Sequence, residues 1–429
     1  MKPLKIGIAG LGTVGAGVVK VLAANAALIT ARAGRPIVVT AVSARDRNRN
    51  RGISIDGLDW HDDAVALVHN PQVDVVVELI GGSEGLAKAI AEAAIAAGKP
   101  LVTANKALLA VHGAALARAA EANNISIAYE AAVAGGIPVI KALREGLAGN
   151  QISRIAGILN GTCNYILTTM QEEKRGFVEV LADAQRLGYA EADPSFDIDG
   201  VDAAHKLAIL AGLAFGVRIA FSSVHIEGIR RISALDIAFA RELGYRIKLL
   251  GIAQQSEAGV SLRVHPAMVP VSQPIATVDG VFNAVLLEGG FSGPVFLRGR
   301  GAGEGPTASA VVADLIDLAR GIHLPVWGMA EPLLSDAEIV PMSDLGCAYF
   351  IRLSVVDQPG VLADVTSLLR DEGISLESML QHGRKPGEAV PIVLVTHETR
   401  EAAVTAALSK IAALPAVLEP PAVIRIESK

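Results

Sequence analysis

The chain has 429 residues, 51% of them apolar and only 4% aromatic, and at about 150 residues per domain this length allows about three domains with real cores. A net charge of −6 gives no reason to expect a nucleic-acid partner, and no apolar run reaches the roughly 18 residues of a membrane span. Two cysteines, Cys163 and Cys347, exclude a disulfide framework and fit a reducing, cytoplasmic setting, while Met1-Lys2-Pro3 leads into a strand instead of a signal-peptide core.

The apolar run Lys5-Ile6-Gly7-Ile8-Ala9 passes directly into Gly10-Leu11-Gly12-Thr13-Val14-Gly15, and a helix is predicted over residues 16–26. In this strand, turn and helix, Gly10 permits the tight turn, Gly12 lets main-chain amides approach a pyrophosphate, and Gly15 lets helix and strand pack closely. The second predicted strand, 37–43, ends in Ser43-Ala44-Arg45 where a cofactor lacking a 2′-phosphate normally meets a carboxylate. Arg45, backed by Arg47 and Arg49, suits a 2′-phosphate, so the residue types lean towards NADP, with NAD the alternative if Asp46 turns back to the ribose. Predicted strands at 73–80 and 100–103 end in Gly81-Gly82 and Ala104-Asn105-Lys106, and both ends should open on the cofactor crevice.

The middle region begins with the glycine-rich loop 133–138 and carries Asn160 and Asn164 four residues apart. Its most charged stretch sets Glu191, Asp193, Asp197, Asp199 and Asp202 within sixteen residues of Lys206. Pro194 and Gly200 bend its first half into a loop, and apolar spacing predicts a helix over 201–213 with Asp202 and Lys206 on one face. A lysine beside carboxylates is poised for ion pairing or proton transfer. His205 points about 100° away and reads as packed, and Cys163 reads as a small buried thiol. A further helix, 307–320, follows Gly301-Ala302-Gly303 and is expected to pack back on the first domain; residues 322–346, proline-bearing and without periodicity, read as a linker.

The remainder reads β-α-β-β-α-β, with strands at 350–356, 374–381, 389–397 and 423–426 and helices at 361–371 and 400–414, a ferredoxin-like order. It closely resembles the ACT domain, whose loop pattern Asp-x-Pro-Gly-Val-Leu stands at residues 357–362. The expected architecture is therefore α/β: a Rossmann-type domain (1–130 plus the helix near 303–321), an α+β catalytic and dimerisation domain (131–305), a linker (322–346) and an ACT regulatory domain (347–429).

Four motifs together extend the likeness to nearly the whole chain: the glycine turn, Thr103-Ala104-Asn105-Lys106, Asn160-Gly161-Thr162-Cys163-Asn164-Tyr165-Ile166-Leu167, and the acidic stretch with Asp202 and Lys206. On these the chain resembles the homoserine dehydrogenases that carry a C-terminal ACT domain. The resemblance implies NAD(P)-dependent interconversion of L-aspartate 4-semialdehyde and L-homoserine, on the route to threonine and methionine, by a homodimer or homotetramer. It implies Lys206 as acid/base, Lys106 near nicotinamide and substrate oxygen, Glu191 on the substrate ammonium, and Asp197 and Asp202 completing the pocket. It also implies cofactor contacts from Thr13, Val14, Thr103 and Gly303, and a Na⁺ held by the main-chain carbonyls of Glu130, Val133, Gly135 and Ile137, since oxygen ligands suit a hard cation. Asp357, Gly360, Val361 and Leu362 would form an amino-acid effector site, L-threonine being the first candidate, and removal of residues from about 347 onward is expected to leave activity and abolish inhibition. The rival readings are a dehydrogenase of another small amino-acid semialdehyde and a non-catalytic amino-acid sensor; intact Lys106, Glu191, Asp202 and Lys206 speak against the second.

Overall fold

The structure, a computed structural model, describes residues 2–383 and 386–427, so the expected C-terminal unit is described except at positions 384, 385, 428 and 429. The first sheet is built from β1 (Leu4–Ala9), β2 (Ile37–Ser43), β3 (Asp59–His61), β4 (Val75–Glu78), β5 (Leu101–Thr103) and β6 (Ile127–Ala128) in the order β3-β2-β1-β4-β5-β6. Every pairing is parallel. Central strands β1 and β4 are apolar and buried along almost their whole length, as a sheet covered on both faces requires. The strand order reverses between β1 and β4, which opens a crevice at their carboxyl ends.

The first helix runs Thr13–Ala24, three residues earlier than expected, because the glycine turn leads straight into it. It breaks at Asn25, and the next helix, Ala26–Ala33, departs at 84°. The helix Glu304–Arg320 packs across Thr13–Ala24, with Gly17 at the contact, where a Cβ would come within 2.7 Å of the Glu304 side chain. It begins before Pro306, which is tolerated because amides of the first turn have no partner within the helix.

The second sheet is antiparallel in the order Gly293–Arg300, Phe282–Gly289, Ile152–Ile158, Tyr245–Ser256, Gly259–Pro270. It does not end there. Gly259–Pro270 pairs in parallel with the last strand, Ala422–Ile426, through Ala267 with Arg425 and Met268 with Ile426. From that strand the sheet continues through Gly346–Val356, Ala389–Thr396 and Leu376–Gln381, the sheet order of the ferredoxin-like unit. The expected separate module is thus fused to the catalytic sheet, and Phe350, Val393, Val395, Ile424 and Ile426 belong to the central core. The join covers a sheet edge that would otherwise present unpaired amides and carbonyls.

The expected linker is a packed strap. Trp327 lies against Gly113 and Gly212, where a Cβ would meet its ring at 2.7 and 3.6 Å, and the Tyr129 hydroxyl donates to Val326 O at 2.6 Å. Buried Glu331 takes Arg118 (2.7 Å) and Arg218 (2.9 Å), and Ser335–Asp336 pairs with Val217–Arg218. Pro325, Pro332 and Pro341 mask any periodicity, and the burial rests on a few anchors that no periodic pattern reveals.

Candidate active site

A cleft of about 610 Å³ lies between the two sheets, at the carboxyl ends of β1, β4 and β5. Two helix N-termini open on it. Thr13–Ala24 starts from Gly12 and Glu304–Arg320 from Gly303, and neither has a side-chain cap, so their first amides stay free for an anion. The glycine turn matches its expected geometry. Gly10 has φ +103°, a Cβ at Gly15 would fall 2.3 Å from Gly10 O, and the space above Gly12 is open. Val14 and Gly303 line the cleft, and Thr13 is exposed at the helix start. These features fit a dinucleotide.

Thr103 is placed differently from the expectation. It is fully buried, its hydroxyl donates to Glu78 (2.6 Å) and accepts from Asn105 N (3.0 Å), and it is not among the residues lining the cleft. Glu78 itself escaped the sequence reading. Its carboxylate gathers the amides of Ile80 (2.7 Å) and Gly81 (3.1 Å), fixing the β4 end that lines the cleft; the signal was a lone carboxylate in the apolar run Val75-Val76-Val77-Glu78-Leu79-Ile80. Arg45 is exposed beyond β2, while Asp46 turns to its own loop and accepts from Asn48 N at 2.8 Å. Arg51, also missed, reaches across to Leu11 O at 2.8 Å and ties this basic loop to the glycine turn.

The chemistry concentrates at the mouth of the helix Val201–Phe215. Lys206, 8% exposed, donates to Asp202 Oδ2 (2.8 Å) and to Leu159 O (2.7 Å). Lys106, the first residue of the helix Lys106–Ala122 capped by Asn105, places Nζ 3.1 Å from Asp202 Oδ1 and stands over the Phe196 ring. Asn160 caps Gly161–Glu173 through its carbonyl, while its Nδ2 bridges Asp197 Oδ1 and Asp202 Oδ2, each at 2.8 Å. Burial alone would raise the Asp202 pKa, but Lys206 and Lys106 outweigh it and hold this carboxyl well below the usual range. Burial and then the neighbouring Asp202 push Asp197 the other way, against the Asn160 hydrogen bond.

Tyr189, not singled out from the sequence, lines the same wall and packs on Tyr165 with centroids 4.8 Å apart and the rings tilted by 55°. Glu191 is exposed and is not among the residues lining the cleft. Asn164 turns away to bind Val278 O, Gly280 O and Phe282 O. His205 stacks on Phe221 at 4.2 Å, its pKa lowered by burial and then by Lys106, and burial pushes the Cys163 thiol far up.

In the candidate cation loop, Ala134 has φ +55° and Gly135 φ +41°, where a Cβ at 135 would meet Gly301 O at 2.6 Å. Ile137 O already accepts from Val139 N (2.8 Å), whereas no backbone hydrogen bond to Val133 O or Gly135 O occurs outside helices and strands among the described residues. The Glu130 carboxylate instead caps Ile140 and Lys141; burial and then Asp314 raise its pKa to about 7. In the C-terminal unit, Gly360 (φ +95°) opens the helix Val361–Asp371, Asp357 pairs its main chain with Glu388 and Gly387, Val361 is buried in that unit's core and Leu362 is half-buried against it.

A nucleotide crevice with two free helix starts, facing a lysine pair held by one carboxylate and joined to an ACT unit, defines the class: an NAD(P)-dependent oxidoreductase acting on a CH–OH group. Families described as homoserine dehydrogenase NAD-binding domain, homoserine dehydrogenase and ACT domain match residues 10–130, 138–316 and 349–414. Homoserine dehydrogenases of Pseudomonas aeruginosa and Neisseria gonorrhoeae are 47% and 46% identical, each covered to 99% by an alignment spanning 100% of this chain. The crystal structure of a homoserine dehydrogenase from Thiobacillus denitrificans matches with TM-score 0.94 at 48% identity, over 100% of this chain and 99% of that one. An NADPH complex of a mutant hyperthermophilic archaeal homoserine dehydrogenase matches 75% of this chain and 99% of its own with TM-score 0.64 and 27% identity. The chain belongs to the homoserine dehydrogenase family.

Proposed function

We propose that this homoserine dehydrogenase works with Lys206 as acid/base, Lys106 as a second cation on the substrate oxygen, and Asp202 as the group that holds both. The observation that carries this reading is the Lys206 ammonium in the cleft wall with two of its three donors committed, to Asp202 and Leu159 O. The nicotinamide cofactor supplies and takes the hydride. Reduction of the semialdehyde leaves an alkoxide, which Lys206 stabilises and protonates; oxidation of homoserine reverses the transfer and needs the unprotonated amine. The free amides after Gly12 and Gly303 bind the pyrophosphate, and Asp197, bridged by Asn160, offers its second oxygen to the substrate ammonium.

Glu191, exposed on the segment whose Gly188 and Tyr189 line the cleft, is read as a second carboxylate for that ammonium. Glu191→Gln should then raise the homoserine KM by about tenfold with little change in kcat, because an ammonium loses a paired charge. An unchanged KM means the amine is held by Asp197 alone.

NADP is the proposed cofactor, supported by exposed Arg45 at the end of β2, by Asp46 turned into its own loop, and by the NADPH bound to the archaeal relative. Arg45→Asp should shift the ratio of kcat/KM for NADP⁺ over NAD⁺ towards NAD⁺ by about 1.5–3 kcal/mol, the worth of a charge-assisted hydrogen bond. A constant ratio removes Arg45 from recognition.

The loop from Glu130 to Ile137 is read as a Na⁺ site through main-chain oxygens, supported by the left-handed turn at Ala134 and Gly135. The ACT unit is read as the seat of feedback inhibition, its effector carboxylate at the helix start after Gly360, in a homodimer or homotetramer. L-threonine at millimolar concentration should inhibit the full-length enzyme; if L-threonine, L-methionine and L-isoleucine all leave the rate unchanged, this regulatory reading fails.

A further inference from the structure

Ion pairs, buried at Asp236 and Glu427 and half-buried at Glu227, stitch the C-terminal unit to the rest of the chain at three places. Arg352 meets Asp236 at 2.6 Å; Glu427 meets Arg263 at 2.9 Å and Arg154 at 3.5 Å; and Arg425 forks onto Glu227 at 2.8 and 2.9 Å while its Nε holds Glu401 at 2.8 Å. Glu401 begins the helix Glu401–Ala412 and also accepts from the Tyr349 hydroxyl at 2.6 Å. Of these pairs, the one at Glu227 lies on a segment moulded to the acidic turn of the cleft.

That fit is made by backbone. Glu227 N donates to Val264 O (2.7 Å) and Ile229 N to Ile198 O (2.8 Å), so residues 227–229 bridge the second sheet and the turn that carries Asp197. Gly228 has no space for a side chain: a Cβ there would fall 2.2 Å from Ile198 O and 2.5 Å from Asp199 Cα. Arg230 reaches the same turn through Asp199 Oδ2 at 2.9 Å. A displacement of Glu227 is therefore passed to Ile198 and Asp199 by direct contact, and Asp197, the next residue back, holds Asn160 at 2.8 Å.

We infer that Arg425, in the last strand of the ACT unit, is a positioning residue for the substrate pocket: by gripping Glu227 it presses Gly228 against Ile198 and Asp199 and so sets Asp197 against Asn160. Because Arg425 also holds the start of the helix Glu401–Ala412, a movement of that helix in the ACT unit reaches the pocket through one side chain. The inference rests on the reading of Asp197 as a substrate contact.

The test uses the full-length enzyme. Arg425→Met and Glu227→Gln should each raise the homoserine KM by about 5- to 10-fold, with kcat and the NADP⁺ KM within about twofold of wild type, and Arg425→Lys should recover part of the loss. Arg352→Met breaks an ion pair at the same interface away from the 227–229 segment, so it should lower thermal stability while leaving the homoserine KM unchanged. Asp197→Asn, measured alongside, separates the two claims. If it raises the homoserine KM while folded Arg425→Met and Glu227→Gln do not, the coupling is wrong and the pocket reading stands; if it leaves KM unchanged, the pocket reading falls and the inference with it. Equal rises in the homoserine and NADP⁺ KM values, or a rise in Arg352→Met, would mean general loosening and overturn the assignment.

Discussion

Lys206→Ala is expected to lower kcat by about 10²- to 10⁴-fold, the scale of a positioned acid/base, while the enzyme stays folded and binds NADP(H) as before. Asp202 keeps its bonds to Lys106 (3.1 Å) and Asn160 (2.8 Å) in the variant, so no carboxylate is left alone in the wall. Leu159 O does lose its donor, a cost of about 1–3 kcal/mol that a chain with this extent of core should bear. Lys206→Arg keeps the charge but spreads it over a planar fork, and it should restore folding stability more than turnover. Steady-state rates in both directions, with a thermal melt of each variant, check this; near-normal turnover in Lys206→Ala would take that lysine out of the mechanism.

Removal of residues 347–429 should have the largest effect on stability, contrary to what the sequence pattern alone predicts. The cut exposes the edge of Gly259–Pro270, strips Phe350, Val393, Val395, Ile424 and Ile426 from the central core, and takes Arg352 from Asp236, Arg425 from Glu227 and Glu427 from Arg263. Breaking one buried ion pair typically costs about 3–5 kcal/mol. The truncated chain should therefore aggregate on expression, or melt roughly 10 °C or more below the full-length enzyme and lose activity with it. A soluble truncated enzyme with the full-length melting temperature and rate would mean that the two sheets do not share an edge in solution.

The contrast between these cases says what the sequence held. The glycine turn, the helix carrying Asp202 and Lys206, β2 and the helix Val361–Asp371 follow from local rules, because turn chemistry and apolar period act within a few residues. The pairing of Lys206 with Asp202 was legible as i to i+4 on one face, whereas Lys106 reaches the same carboxylate from a helix nearly a hundred residues away. Asn160, conspicuous in the sequence only for its spacing from Asn164, caps a helix and lines the cleft at once, and no local pattern places its amide between Asp197 and Asp202. Thr103 shows the converse: it stands in the expected motif, and its hydroxyl is taken by buried Glu78, which no motif announces. The fused sheet was the least legible feature, since Arg425 and Glu427 read as ordinary charges at a strand end until their partners at Glu227, Arg263 and Arg154 are known.

As a homoserine dehydrogenase, the enzyme oxidises homoserine and reforms it with a nicotinamide cofactor. Absorbance at the reduced-nicotinamide band, followed with purified enzyme, L-homoserine and NADP⁺ or NAD⁺ at alkaline pH, tests it most directly. Reduced cofactor is expected to appear only with homoserine, faster with NADP⁺, and the signal to reverse when L-aspartate 4-semialdehyde is added to the reduced cofactor. No homoserine-dependent signal with either cofactor would contradict it.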